Sequence, residues 1–332
     1  MKRVLRVLMV LALVFAVTGQ LFAAAQVEQA KPKVAGVVFQ EDQFMRLLQS
    51  GFRDAALKAG YAFYPGNTNN DAAKEAEFLN TYVTQGYKGV AITPVSEEGS
   101  MKVLTDASNQ GLYVGICNHD STGEFNVPFV TGAYTSDNYN LGSTVGKVAA
   151  KYIKEKLGGR ANVAIVQFKT LLPEQSGARS QGFLDQIKDI PGVRVVADQD
   201  AWLQDKAITI AGDIITANKD VNVIFSANEG GTIGSTMAVK NAGKAGDIVV
   251  FGFDGSEQMV QLLKDPANIL QAAIAQDPYT IGMRTMESVI KAANGEDISA
   301  TKGKSFIVPG ILLERANTAG LDAFLEDLKS KM

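Results

Sequence analysis

From Lys33 onward the chain alternates between short, almost wholly apolar runs and longer stretches whose apolar side chains recur every third or fourth residue. "KVAGVVF" (33–39) is too continuously apolar for a strand with one wet face, whereas "FMRLLQSGFRDAALKAG" (44–60) has helical spacing and ends in glycine. Further runs of the first kind are "YAFYP" (61–65), "GVAIT" (89–93), "LYVGIC" (112–117), "NVAIVQF" (162–168), "VRVVA" (193–197), "VNVIFSA" (221–227), "DIVVFGF" (247–253) and "ILQAAIA" (269–275), and helical patterns separate nearly all of them. Repeated units of this kind predict parallel sheets covered by helices on both faces, with right-handed crossovers. A single sheet of so many strands would be unusually large, so the fold class expected is α/β with two doubly wound parallel-sheet lobes.

The places where the alternation breaks predict how the lobes join. After "LYVGIC" comes a polar loop and then "FVTGAYTSDN" (129–138), a strand leading directly into an N-cap signal. A second break is "AAIAQDP" (272–278), where Pro278 can open a helix, and a third lies near "FIVPG" (306–310), where Pro309 and Gly310 interrupt a strand. Three crossings make a three-segment hinge. The expected N-terminal lobe is 33–136 plus 277–305 and the expected C-terminal lobe 137–276 plus 306–332. Ahead of them, Lys2, Arg3 and Arg6 precede an apolar run from Val7 to Val17, and Ala23, Ala24 and Ala25 supply small residues for cleavage. Residues 1–25 therefore read as a secretory signal peptide, since the run is shorter than the ~20 apolar residues that span a bilayer.

In open parallel sheets ligands bind beyond the carboxyl ends of the strands, and there the composition changes sharply. Gln40, Glu41 and Asp42 follow the first strand, Asn118, His119 and Asp120 follow "LYVGIC", Asn228 and Glu229 follow "VIFSA", Asp254 follows "VVFGF" and Gln276 follows "LQAAIA". Amides and carboxylates converging on one cleft suit a polyhydroxylated ligand, because each can engage two neighbouring hydroxyls. Phe44 and Trp202 could cover the apolar face of a sugar ring. Taken one at a time, the same residues also fit helix caps and turns.

Other chemistries find less support. His119 is the only histidine and Cys117 the only cysteine, which is too few for an ordinary zinc site and rules out an intrachain disulfide. Cys117 reads as a small buried residue. No G-x-S-x-G elbow is present, and the glycines of "EGGTIG" (229–234) lack dinucleotide-binding spacing and read as close packing at a helix start. The expectation is a protein that is not an enzyme and needs no metal or cofactor. The formal charge of -3 falls to -6 without the three basic residues of the leader, an unfavourable balance for nucleic acid.

Over essentially the whole chain after the leader, the sequence resembles the type I periplasmic sugar-binding proteins of ATP-driven importers, the ribose binders most nearly. The stretches that carry the resemblance are "GVAITP" (89–94), "FSANE" (225–229), "VVFGFDGS" (249–256) and "AAIAQDPYTIG" (272–282). The resemblance implies ligand-binding roles for Asn228, Asp254 and Gln276, a stacking role for Trp202 and Phe44, and polar contacts from Asp42 with Gln40 beside it. It places Asn118 and His119 where the ribose binder has aspartate followed by arginine. Three departures speak against ribose itself: Met45 replaces a second aromatic, His119 an arginine, and the helix after "AIVQF" aligns Gly177 with the family's arginine, so that Arg179 serves only if the loop is shifted by two residues. A different pentose or hexose, or a polyol, fits at least as well, while an amine-bearing polyol is allowed by the acids near the cleft without being favoured. The function implied is a monomeric periplasmic receptor that delivers its solute to an importer permease. A ligand sensor for a chemoreceptor or sensor kinase shares fold and site. A transcription regulator would need a DNA-binding element that the sequence lacks.

Overall fold

The computed structural model describes residues 31–96, 98–118 and 127–331, so the expected leader and the expected cleft residues His119 and Asp120 lie outside the described residues. The first sheet takes β1 (Lys33–Val38), β2 (Ala62–Asn67), β3 (Gly89–Ile92), β4 (Tyr113–Cys117) and β5 (Val130–Thr135). The second takes β6 (Arg160–Gln167), β7 (Gly192–Asp200), β8 (Val223–Ser226), β9 (Val249–Phe253) and β10 (Leu270–Ala275). Late in the chain β11 (Ser305–Ile307) joins the first sheet and β12 (Ile311–Glu314) the second, giving orders β11-β5-β4-β3-β1-β2 and β12-β10-β9-β8-β6-β7. Every described pairing of these strands is parallel except β10 with β12.

Helices cover both faces of each sheet. In the first lobe α1 (Gln43–Lys58) shares one face with α9 (Pro278–Ala293), and α2 (Ala72–Thr84) shares the other with α3 (Met101–Asn109). In the second lobe α4 (Asn138–Lys156) and α5 (Pro173–Ile187) cover one face, while α6 (Gln204–Ala217), α7 (Glu229–Asn241), α8 (Glu257–Lys264) and α10 (Thr318–Ser330) cover the other. The strands alternate accordingly. Val163 and Ile165 of β6 point into the α4/α5 layer, and Ala164 and Val166 into the opposite one. Because both faces are dry, the strands read as unbroken apolar runs.

The chain passes between sheets after β5, after β10 and between β11 and β12. The last crossing requires a correction. Ser305–Ile307 pairs in register with Ala133–Thr135, and Phe306 stacks on Tyr134 at 5.3 Å, so these residues belong to the first lobe and the expected cut between 305 and 306 moves to 308–310. Pro309 and Gly310 end one strand and admit the next; a side chain at Gly310 would meet Leu141 at 2.2 Å and the Ala275 carbonyl at 2.9 Å.

Glycine sets how closely the site-bearing helices pack. At the α1/α9 crossing a Cβ on Gly51 would lie 2.2 Å from the Tyr279 carbonyl, and one on Gly282 would lie 2.1 Å from the Leu48 carbonyl. At the α4/α5 crossing Gly142 and Gly182 stand in the same relation to the Arg179 and Tyr139 carbonyls, at 2.0 and 2.1 Å. These approaches fix the N-terminal ends of α1 and α5 relative to the sheets, and those ends carry cleft residues.

Candidate ligand-binding cleft

The carboxyl ends of the strands of both sheets open onto one cleft of about 630 Å³. Gln40, Asp42, Phe44, Asn118, Arg179, Trp202, Asn228, Asp254 and Gln276 all line it, and they come from both lobes. Local backbone chemistry explains several of these positions. Asp42 is the N-cap of α1: one carboxylate oxygen accepts from the Met45 N–H at 2.8 Å, and the other accepts from the Gln40 amide. Asn228 caps α7 through the Gly231 N–H at 3.1 Å, and its amide donates to the Trp202 carbonyl at 2.9 Å, tying the Trp202 loop to the helix start. Gly230 makes this possible, since a Cβ there would lie 2.2 Å from that same carbonyl. The close-packing role read for these glycines fits this geometry.

Asn118 and Asp254 end β4 and β9 in the left-handed region, at φ 52° and 70°, which Asn and Asp tolerate better than most side chains. The Asp254 carboxylate is the hub of the second lobe's floor. It accepts from the Glu229 N–H at 3.0 Å and from the Gln276 amide at 3.0 Å, and the Arg179 guanidinium lies 4.0 Å away. Gln276 is 8% exposed, and its buried Oε1 has no donor among the described residues. A buried carbonyl oxygen without a partner costs free energy that a ligand donor can recover.

Arg179, 4% exposed, donates to Asn138 Oδ1 and to the Ala227 carbonyl, each at 2.9 Å, and its guanidinium lies over the Phe253 ring at 4.5 Å. Position 177 does not supply this group. Two residues along a helix is a rotation of about 200°, and Gly177 has nothing within 4 Å of where a Cβ would stand. Gln175, one turn before Arg179, lies on the same face and also lines the cleft. Helical phase was the signal that could have found it.

Glu229, noted in the sequence only as a polar residue at a strand end, lines the cleft as well. Burial raises its carboxyl above the usual range, a Ser256 hydrogen bond opposes that, and the Asp254 and Asp42 charges raise it further. Phe39, Phe168, Gln204, Asp277, Asp327 and Lys331 are among the other lining residues that sequence reasoning left out. Cys117 is buried behind the cleft beside the Thr93 hydroxyl at 3.1 Å, and burial pushes its thiol up to about 12. Among the described residues no group of three His, Cys, Asp or Glu side chains could hold a metal ion.

A family profile described as a periplasmic binding protein domain matches residues 36–297. The chain belongs to the periplasmic binding protein family. That family is one of binding proteins, and its fold accounts for the two lobes. The chain is 28% identical over 277 residues to the ABC transporter periplasmic-binding protein YphF of Escherichia coli, covering 81% of this chain and 84% of that one. It is 30% identical over 275 residues to the ribose import binding protein of Salmonella typhimurium, covering 82% and 88%. Among solved structures, an ABC transporter solute-binding protein of Bacillus halodurans with bound myo-inositol superposes with a TM-score of 0.76 at 18% identity, covering 92% of this chain and 99% of that one.

Proposed function

We propose that the protein is a periplasmic solute receptor that closes its two lobes over a monosaccharide or polyol and presents it to an ATP-driven importer. The observation that carries this reading is the convergence of amide, carboxylate and guanidinium groups from both lobes, with Phe44 and Trp202, on one cleft at the strand ends. The buried Oε1 of Gln276, without a donor among the described residues, can accept from a ligand hydroxyl there. Ligand bridging the lobes favours the closed state because only that state completes contacts from both sides. Micromolar affinity needs about 8 kcal/mol, which a few charge-assisted hydrogen bonds and one stacked ring supply when the cleft is dry. The protein acts as a monomer, binds without turnover and uses no cofactor. A chemoreceptor could read the same closed state.

Trp202 is the only tryptophan of the chain and lines the cleft, so its emission reports occupancy directly. Titration with pentoses, hexoses, hexitols and inositols, amino acids and nucleosides serving as controls, should give a saturable change with one sugar or polyol and a matching rise in Tm. A response confined to the controls would refute the carbohydrate assignment.

A further inference from the structure

The charges lining the cleft do not balance. The carboxylates of Glu41, Asp42, Glu229, Asp254, Asp277 and Asp327 face it, against the cations of Arg179 and Lys331 among the described residues. Most of these charges are answered locally. Lys331 lies 3.5 Å from Asp277 and 2.7 Å from Asp327, Arg46 lies 3.4 Å from Glu41, and Arg179 lies 4.0 Å from Asp254. Asp42 and Glu229 differ from the others. Among the described residues their hydrogen bonds come from neutral groups, the Met45 N–H and Gln40 amide for Asp42 and the Ser256 hydroxyl for Glu229.

These two carboxylates belong to opposite lobes, Asp42 at the start of α1 and Glu229 at the start of α7. Burial pushes the Glu229 carboxyl up first, the charges of Asp254 and of Asp42 on the other lobe push it further, and the Ser256 hydrogen bond and Arg46, an exposed side chain that also pairs with Glu41, oppose them. Closing the lobes removes water from between like charges and strengthens that repulsion. A neutral polyol supplies donors but leaves the repulsion in place. A ligand ammonium cancels it, and as a group with three donors and no acceptor it also suits a floor of carboxylates and the Gln276 Oε1, which has no donor among the described residues. A metal ion is no substitute, because no suitable ligand group exists among the described residues.

Resting on the polyol-receptor reading, we propose that the ligand class is an amino sugar or aminopolyol, its protonated nitrogen held between Asp42 of the first lobe and Glu229 and Asp254 of the second. The test is calorimetric titration of matched pairs, glucosamine with glucose, galactosamine with galactose and glucamine with sorbitol, with N-acetylglucosamine as the uncharged control. The wild-type protein, Glu229→Gln and Asp42→Asn are compared at neutral and mildly acidic pH. The Asn variant keeps a competent N-cap, and the Gln variant keeps a partner for Ser256. The expected result is one amine bound at least about tenfold more tightly than its neutral partner. The ratio of amine to neutral affinity should shrink to within a few-fold in both variants, whatever each loses in absolute affinity, and a ratio unchanged in both overturns the inference. Tighter binding of the neutral partner overturns the inference and leaves the polyol receptor standing. As pH falls toward the raised Glu229 value the gap should narrow, because a proton on Glu229 then does the cancelling for the neutral partner; a gap that widens as pH falls overturns the inference. Binding of no member of any pair overturns both.

Discussion

A single methyl group added at Gly142 should disturb both the stability of the second lobe and its affinity for ligand. The new Cβ would lie 2.0 Å from the Arg179 carbonyl oxygen and 2.9 Å from its carbonyl carbon, where ordinary contact begins near 3.4 Å. Both partners are helix backbone, so no side-chain rotation relieves the overlap, and α5 must move away from α4 by roughly 1.4 Å. Overpacking costs about 1–3 kcal/mol, and with rigid partners the upper end is expected. For a chain of this size that corresponds to a fall of about 6 °C in Tm. The displaced segment carries Arg179. Its bonds to Asn138 and the Ala227 carbonyl, each 2.9 Å, cannot survive a shift beyond 1 Å, and the guanidinium would leave its place beside Asp254. Affinity should then fall by about two orders of magnitude, as for a buried charge that loses its partners. Gly177→Ala on the same helix is the control. Nothing lies within 4 Å of its added methyl, and alanine favours the helix by up to ~1 kcal/mol, so Tm should hold or rise with affinity unchanged. Thermal unfolding and calorimetry on the two variants decide the matter. A Gly142→Ala protein with wild-type Tm and wild-type affinity would refute the account of how α5 is placed.

Further outcomes follow for Asp254, Glu229 and Cys117. Asp254→Asn preserves a residue that tolerates φ 70° but loses the charge facing Arg179 and one accepted hydrogen bond, so calorimetry should show affinity reduced about 30- to 100-fold with little change in fold stability. Asp254→Ala should lose as much affinity and in addition about 1–2 kcal/mol of stability in denaturant, from left-handed strain on alanine; wild-type affinity in both would remove Asp254 from the site. Burial holds the Glu229 carboxyl above its ordinary 4.5, so the folded state keeps this proton more readily than the unfolded chain does, and stability drops as pH rises from about 4.5 through the raised value. Glu229→Gln should flatten that part of the stability curve and be the more stable protein above it; an unchanged slope would show that Glu229 does not cause it. Cys117, buried with its thiol pushed up to about 12, should resist a thiol-specific reagent in the native state and react at once in denaturant, and fast native labelling would contradict its burial.

Much of this architecture is legible in the sequence because a strand buried on both faces leaves no choice but a continuous apolar run, and β1, β3, β8 and β9 all show one. Contacts between segments distant in sequence are less legible. Phe306 belongs to the first lobe because Tyr134 stacks on it, and Arg179 rather than position 177 reaches the cleft because α5 is seated on α4 through Gly142 and Gly182. No local pattern records either fact. The choice between helix cap and ligand group at the strand ends turns out to be a false one. In a doubly wound sheet each strand's carboxyl end leads into a helix's amino end, so the residue that caps the helix also stands at the rim of the crevice. Asp42 and Asn228 do both: each spends an oxygen on its helix and still lines the cleft. What separates ligand groups from caps is the polar capacity left once internal bonds are made. By that measure the strongest demand for a ligand comes from Gln276, which caps no helix, gives its amide hydrogen to Asp254 and keeps a buried oxygen that nothing among the described residues satisfies.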